Sequence, residues 1–230
     1  MPIEVYGFIF AIVNFSLLVL FYKLYGKTGM IAWIGFATIL ANIQVVKTIE
    51  LFGLIVTLGN VMYATTFLAT DMLNEKHGKA TARRAVWLGF TTLFISTIIM
   101  QMAIYFQPHP EDLAQEHLSF IFDFAMRIAI GSLIAFLISS HVNVYIYAFF
   151  KKLFPSTAML WLRNSVSSIV GQALDTIIFC SIAFLGVYSL DIWLEIAFTT
   201  YIMKFLVSVI AIPFIYWAKN IKPLNEPAES

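Results

Sequence analysis

Seven apolar runs dominate this chain, at roughly 5–23, 29–46, 54–73, 85–106, 118–150, 165–188 and 192–218. Most are long enough to cross a bilayer core of about 30 Å, which takes around 20 helical residues. A chain of 230 residues cannot hide seven such segments in a water-soluble core. Hydrophobic residues make up 60% of it and charged residues only 12%, about half the share of a soluble domain. The expected fold is all-α: a polytopic integral membrane helical bundle of six to seven transmembrane helices. It forms one domain over 1–230, with a short tail from 219. Two runs are harder to place. Gly59, Asn60 and several threonines in 54–73, with Gly53 before them, allow a broken or re-entrant segment. The run 118–150 exceeds one straight crossing and could tilt, break near Ser139-Ser140-His141, or extend into the cytoplasm.

The remaining composition narrows the function classes. One cysteine, Cys180, allows neither an internal disulfide nor a cysteine-based metal site. With 14 basic and 13 acidic residues there is no electrostatic footprint for nucleic acid. The opening MPIEVYGFIFAIVNF has no basic n-region and no small-residue cleavage site, so the first run is expected to stay as a membrane helix. No Walker A, HExxH, G-x-S-x-G or Rossmann fingerprint is present, and no cofactor is expected. His109, Glu111, Asp112, Glu116 and His117 lack a recognised ligand spacing and read as a solvated acidic turn rather than a metal site.

Lys and Arg concentrate on the cytoplasmic side of membrane proteins. The loop EKHGKATARR carries Lys76, Lys79, Arg83 and Arg84, whereas QPHPEDLAQEH carries three acids and no Lys or Arg. With Lys151, Lys152, Arg163, Lys219 and Lys222 on the inner side, the C-terminus is cytoplasmic. The N-terminus is external if there are seven spans. Eleven of the 14 basic residues then face the cytoplasm, and Lys47, Arg127 and Lys204 are the exceptions.

An ionisable residue inside a span is a functional-site hypothesis. Asp175 falls near the middle of its run, and Ser168, Gln172 and Asp175 share one helical face beside Gly171. Lys204 lies at similar depth in the next helix, and Arg127 follows Asp123 by one turn. The pairs Asp175–Lys204 and Asp123–Arg127 could simply hold helices together. The additional polarity of Asn42, Gln44, Lys47, Asn143 and Gln172 points instead to a polar cavity between helices.

Two stretches carry a family resemblance. TTFLATDMLNEKHGKATARRAVWLGF (65–90) resembles the signature of the queuosine precursor transporter (VUT) family, a Thr-Asp-x-x-x-Glu-x-x-Gly element before a basic turn and an aromatic helix. LRNSVSSIVGQALDTIIFCSIAFLG (162–186) is similar to a second family motif, with its Arg-Asn start and Gln-x-x-Asp-Thr core. ANIQVVK (41–47), RIAIGSLIAFLISSHVNVYIY (127–147) and KFLVSVIAIPFIY (204–216) match more weakly. The resemblance implies an inner-membrane importer of 7-cyano-7-deazaguanine, its aminomethyl form, or both, for tRNA modification. It also implies a distant likeness to the membrane-embedded substrate-binding components of energy-coupling-factor vitamin importers. Nothing in the chain resembles an ATPase, so ATP dependence would need a separate subunit. A homo-oligomer such as a dimer is left open by the sequence.

A 7-deazaguanine presents N1–H and an exocyclic amine as a paired donor edge that suits a carboxylate, and an O6 that accepts. Gln172 and Asp175 are the leading candidate contacts, with Asn42, Asp71, Glu75 and Asn143 as further contributors. Each has an alternative role. Asp71 and Glu75 could cap a turn or pair with Arg83 and Arg84, and Asn42 could bridge two helices. Arg163 and Asn164 read as an interfacial anchor and a helix cap. Competing functions are a carrier for another vitamin-like heterocycle, an intramembrane lipid-modifying enzyme using Asp71, Glu75 and Asp175, and a structural scaffold.

Overall fold

The structure is a computed structural model describing residues 2–45, 47–52, 54–122, 126–186 and 189–224. In chain order it comprises α1 (Ile3–Gln44), a hairpin of β1 (Thr48–Leu51) and β2 (Leu54–Thr57), then α2 (Gly59–Ile104), α3 (Gln115–Phe122) and α4 (Met126–Leu153). A 3₁₀ turn (Thr157–Met159), α5 (Leu160–Phe184) and α6 (Leu190–Asn220) complete it. The strands are antiparallel, with Thr48 opposite Thr57 and Leu51 opposite Leu54. Among the described residues, five helices are long and apolar enough to cross a membrane.

Helices α1 and α2, at 42 and 46 residues, are about twice the length a bilayer core needs. Both fold back on themselves. A straight helix would hold Phe8 about 54 Å from Gln44. Yet the Phe8 ring lies 6.4 Å from that of Phe52, which follows Gln44 by a chain that reaches at most about 29 Å. The reversal is at Gly26, where φ is 56°. In α2, Tyr63 and Gly89 would be about 39 Å apart on a straight helix. Both instead touch Phe136: the Tyr63 ring at 5.7 Å, and a methyl group on Gly89 at 3.2 Å from Cζ. That reversal is at Gly78, with φ 79° and ψ 165°, a backbone region open essentially to glycine alone.

Among the described residues seven long helical limbs result, 3–25, 27–44, 59–77, 79–104, α4, α5 and α6, beside the short α3. The segments bearing most Lys and Arg meet at one end. Lys76 Nζ donates to Tyr22 Oη at 2.8 Å and to the Ile221 carbonyl at 2.9 Å, and Leu224 N–H donates to the Lys23 carbonyl at 2.9 Å. The β-hairpin, the exposed acidic turn near 107–114 and the last turn of α5 lie at the other end. There Gln115 Nε2 donates to the Ile104 carbonyl, Asp112 accepts from Ala114 N–H, and His109 Nδ1 accepts from Glu111 N–H.

The apolar side chains divide between two surroundings. Phe15, Ile34, Met62, Leu73, Phe136 and Ile215 are buried in the core. Ile9, Ile12, Phe94, Ile98, Ile99 and Phe198 form an exposed outer surface. Water would penalise that surface, whereas lipid does not. The limb 59–77 is wrapped by its neighbours, and every residue from Ala64 to Asn74 is buried.

The run 54–73 is not one helix: its first four residues form β2, and the helical limb starts at Gly59. Gly53 itself lies outside the described residues. The described parts of the run 118–150 lie in α3 and α4, and the helix continues through Ser139-Ser140-His141. Asp123 and the Arg127 side chain, and with them their pairing, lie outside the described residues.

Candidate functional site

Limb 59–77 runs along α4 and α5, with α6 alongside, and the polar residues of these four elements form a file through the bundle. At its centre is Asp175 on α5. Its Oδ1 accepts from Tyr63 Oη at 2.8 Å and from Ser139 Oγ at 3.3 Å, and its Oδ2 lies 2.5 Å from Lys204 Nζ. The pair is nearly solvent-free, with side-chain exposures of 4% and 7%. An aspartate mid-helix is tolerated here because three other elements each supply a donor. Aromatic rings close round it. Tyr63 is flanked edge-on by Phe67 at 5.6 Å and Phe136 at 5.7 Å, and Lys204 Nζ lies 5.5 Å from the Tyr63 ring centre.

Toward the basic end, Gln172 lies one turn from Asp175 and is buried. Beside it Gly171 brings α5 against α4, so that a methyl group there would sit 3.2 Å from Asn143 Cβ. Asn143 Nδ2 donates to Asp71 Oδ1 at 2.8 Å, and Ser167 Oγ is 3.3 Å from Asp71 Oδ2. Asn74, one turn further along, donates to the Val144 carbonyl at 2.9 Å.

The file ends at Glu75. Its Oε1 meets Arg163 Nη2 at 3.1 Å and Lys219 Nζ at 2.7 Å, and its Oε2 meets Tyr147 Oη at 3.2 Å and Lys151 Nζ at 3.7 Å. Lys151 also donates to the Glu75 main-chain carbonyl. One carboxylate thereby ties limb 59–77 to α4, α5 and α6. Arg163 is fully buried and donates further to the Phe154 and Pro155 carbonyls, at 2.9 and 3.3 Å. It is therefore not an interfacial anchor. Asn164 is also buried, five residues beyond the Met159 N-cap of α5, and so is not a helix cap. Neither Arg83 nor Arg84 is among the described partners of Glu75, and Arg83 donates to Tyr145 Oη at 3.1 Å.

Of the residues anticipated from the sequence, Asp175, Lys204, Gln172, Asn143, Asp71 and Glu75 fall along this file. Asn42 does not: it is half-buried near the last turn of α1, where the neighbouring Ala41 carbonyl packs on Gly59. Tyr63, Ser139, Ser167 and Tyr147 were missed. A Ser or Tyr within an apolar run carries no signal until its helical rotation is known.

An apolar cavity of about 440 Å³ opens at the hairpin end between limb 3–25, the hairpin and α6, walled by Phe8, Phe10, Leu51, Phe52, Phe205 and Val209. Its lining also includes Asn60, one turn from Tyr63 in sequence, and Phe205, next to Lys204 in sequence. Among the described residues no group of three or more His, Cys, Asp or Glu could hold a metal ion.

An apolar exterior around a file of buried charges and amides defines a multi-pass membrane protein of the transporter class. The chain belongs to the family described as "Putative vitamin uptake transporter", whose pattern matches residues 57–218. It is 54% identical to the "Probable queuosine precursor transporter" of Bacillus subtilis over 217 residues, 94% of this chain and 95% of that protein. It is 26% identical to the "Queuosine precursor transporter" of Escherichia coli over 173 residues, 74% of this chain and 75% of that protein. No solved structure matches it. This membership sets aside the lipid-modifying enzyme and the structural scaffold as functions.

Proposed function

We propose that the chain imports a 7-deazaguanine precursor of queuosine, with Asp175 and Gln172 reading the ligand's guanine-like edge. The names borne by the relatives from B. subtilis and E. coli support the substrate. The observation that carries the site is Asp175 itself, a mid-bundle carboxylate set among aromatic rings with donors already on both oxygens. A ligand's N1–H and exocyclic amine can replace Tyr63 and Ser139 on Oδ1, a donor-for-donor exchange that leaves no buried acceptor unpaired. The apolar cavity at the hairpin end supplies an approach to this point.

In this reading all seven limbs cross the membrane, with the N-terminus outside. The basic end is cytoplasmic by the Lys/Arg rule, and the Glu75 cluster closes that end. Release inward then requires Arg163, Lys151 and Lys219 to part from Glu75.

The test uses a cell unable to make its own deazaguanine precursor, with the gene for this chain deleted and restored. Queuosine in tRNA is expected to vanish on deletion at low external 7-cyano-7-deazaguanine and to return on complementation. Unchanged tRNA queuosine would refute the proposal. The family description favours one other reading, a carrier for a different vitamin-like heterocycle. That reading predicts uptake of the vitamin without competition from deazaguanines.

A further inference from the structure

The three carboxylates of the polar file are not equivalent. Glu75 and Asp175 each meet a Lys or Arg nitrogen, whereas among the described residues no such nitrogen lies within 4.0 Å of Asp71. Asp71 is fully buried, and its described donors are neutral: Asn143 Nδ2 at 2.8 Å and Ser167 Oγ at 3.3 Å. A buried carboxylate with neutral partners alone is costly to hold as an anion.

The geometry at Ser167 sharpens this. Its hydroxyl has one proton and two acceptors in reach, the Asn164 carbonyl at 3.1 Å and Asp71 Oδ2 at 3.3 Å. Donation to the nearer carbonyl leaves the Asp71 contact made only if Asp71 Oδ2 carries the hydrogen and donates to Ser167 Oγ. The same heavy-atom positions therefore accommodate either protonation state. Two buried acceptors flank the group without a described partner, Asn143 Oδ1 and Asn164 Oδ1. Local polarity thus exceeds what the packed helices use.

We propose that Asp71 is a proton-binding site that couples import to the proton gradient. The inference rests on the transport reading above. The charged and titratable groups of the polar file around Asp71 are Tyr63 and Glu75 on its own limb, Tyr147 and Lys151 on α4, Arg163 and Asp175 on α5, and Lys204 and Lys219 on α6; Lys151, Arg163 and Lys219 meet Glu75, and Lys204 meets Asp175. Because these ionic partners already serve Glu75 and Asp175, Asp71 can gain and lose a proton without dismantling either cluster. One proton bound from outside and released inside accompanies each neutral 7-cyano-7-deazaguanine, so that cycle moves one positive charge inward.

Purified protein in phosphatidylethanolamine–phosphatidylglycerol liposomes, with labelled 7-cyano-7-deazaguanine as probe, tests the proposal. An acidic exterior is expected to drive accumulation several-fold above equilibrium, and a protonophore to abolish it. Asp71→Asn is expected to lose that accumulation while retaining measurable counterflow exchange. Wild-type uptake indifferent to the gradient, or accumulation by Asp71→Asn, overturns the proposal. Should Asp71→Asn not fold, Ser167→Ala decides: the pH of half-maximal uptake is expected to shift, and an unchanged profile overturns the proposal. A substrate-independent readout separates this idea from the substrate reading. Infrared difference spectra of the ligand-free protein are expected to show a protonated-carboxyl C=O band that Asp71→Asn removes. Absence of such a band refutes the proton site even if deazaguanine binds. Its presence without deazaguanine binding supports the proton site and refutes only the substrate.

Discussion

Lys204 and Asp175 are 29 residues apart in sequence and 2.5 Å apart in space, joining α6 to α5 inside the bundle. Each is nearly solvent-free, so neither charge can be satisfied by water if the other is removed. Breaking such a pair by deleting one partner costs about 3–5 kcal/mol. Lys204→Met is therefore expected to reduce the amount of folded protein sharply. Asp175→Asn in the same chain should recover part of it, because a neutral amide needs no counter-charge. Quantified membrane expression and detergent melting check this. A double variant no better than Lys204→Met alone would disprove the energetic pairing.

Asp175 is also the proposed ligand contact, and this role is read from binding by the folded fraction of the single variant, in which Lys204 loses its counter-charge. Asp175→Asn keeps the size and the Tyr63 and Ser139 contacts but sets an amide against the ligand's own donors. Charge-assisted hydrogen bonds contribute roughly 1.5–3 kcal/mol. Affinity for a deazaguanine is therefore expected to fall at least about tenfold, and Gln172→Ala should weaken it less. Adenine-like analogues should compete poorly. Equal competition by adenine and deazaguanine in a direct binding assay would show that Asp175 does not read the ligand.

Glu75 is bridged to three cations from α4, α5 and α6. Glu75→Gln leaves Arg163 buried without its carboxylate, while Lys151 and Lys219 are part-exposed and can turn to water. The loss should therefore be dominated by Arg163. Melting of Glu75→Gln is expected to drop by several degrees, and Arg163→Met added to it to restore part of the drop. No recovery would place the destabilisation elsewhere.

Gly78 reverses α2 at φ 79°, ψ 165°, and nothing lies within 4 Å of where a Cβ would project. Gly78→Ala therefore meets no clash, only backbone strain of order 1–3 kcal/mol. A modest fall in melting temperature with a conserved fold is expected. No change at all would mean that the bend relaxes freely.

Orientation is checked by single cysteines in a Cys180→Ser background, since Cys180 is buried and free. An impermeant thiol reagent on intact cells should label a cysteine at position 112, and not one at 79 or 152. The opposite pattern would invert the bundle.

The seven apolar runs led directly to a multi-pass helical bundle, because crossing a bilayer core demands local length and apolarity, both of which are written in consecutive residues. Asp175 and Lys204 stood out for the same reason: a charge in such a run is conspicuous without any knowledge of its neighbours. Only the folded chain disclosed which charge meets which. The lipid-facing and core-facing sides of each limb are almost equally apolar, so the sequence does not reveal how a helix is rotated. Arg163 therefore read as an interfacial anchor, although it turns fully inward to Glu75, 88 residues earlier in the chain. Tyr63, Ser139 and Ser167 were invisible until rotation aimed their hydroxyls at Asp175 and Asp71. The hairpin at 48–57 escaped because β2 continues the apolar composition of the helix it precedes. Whether a short apolar stretch pairs as a strand or enters a helix is decided by the partner it meets, and that partner is a matter of tertiary structure.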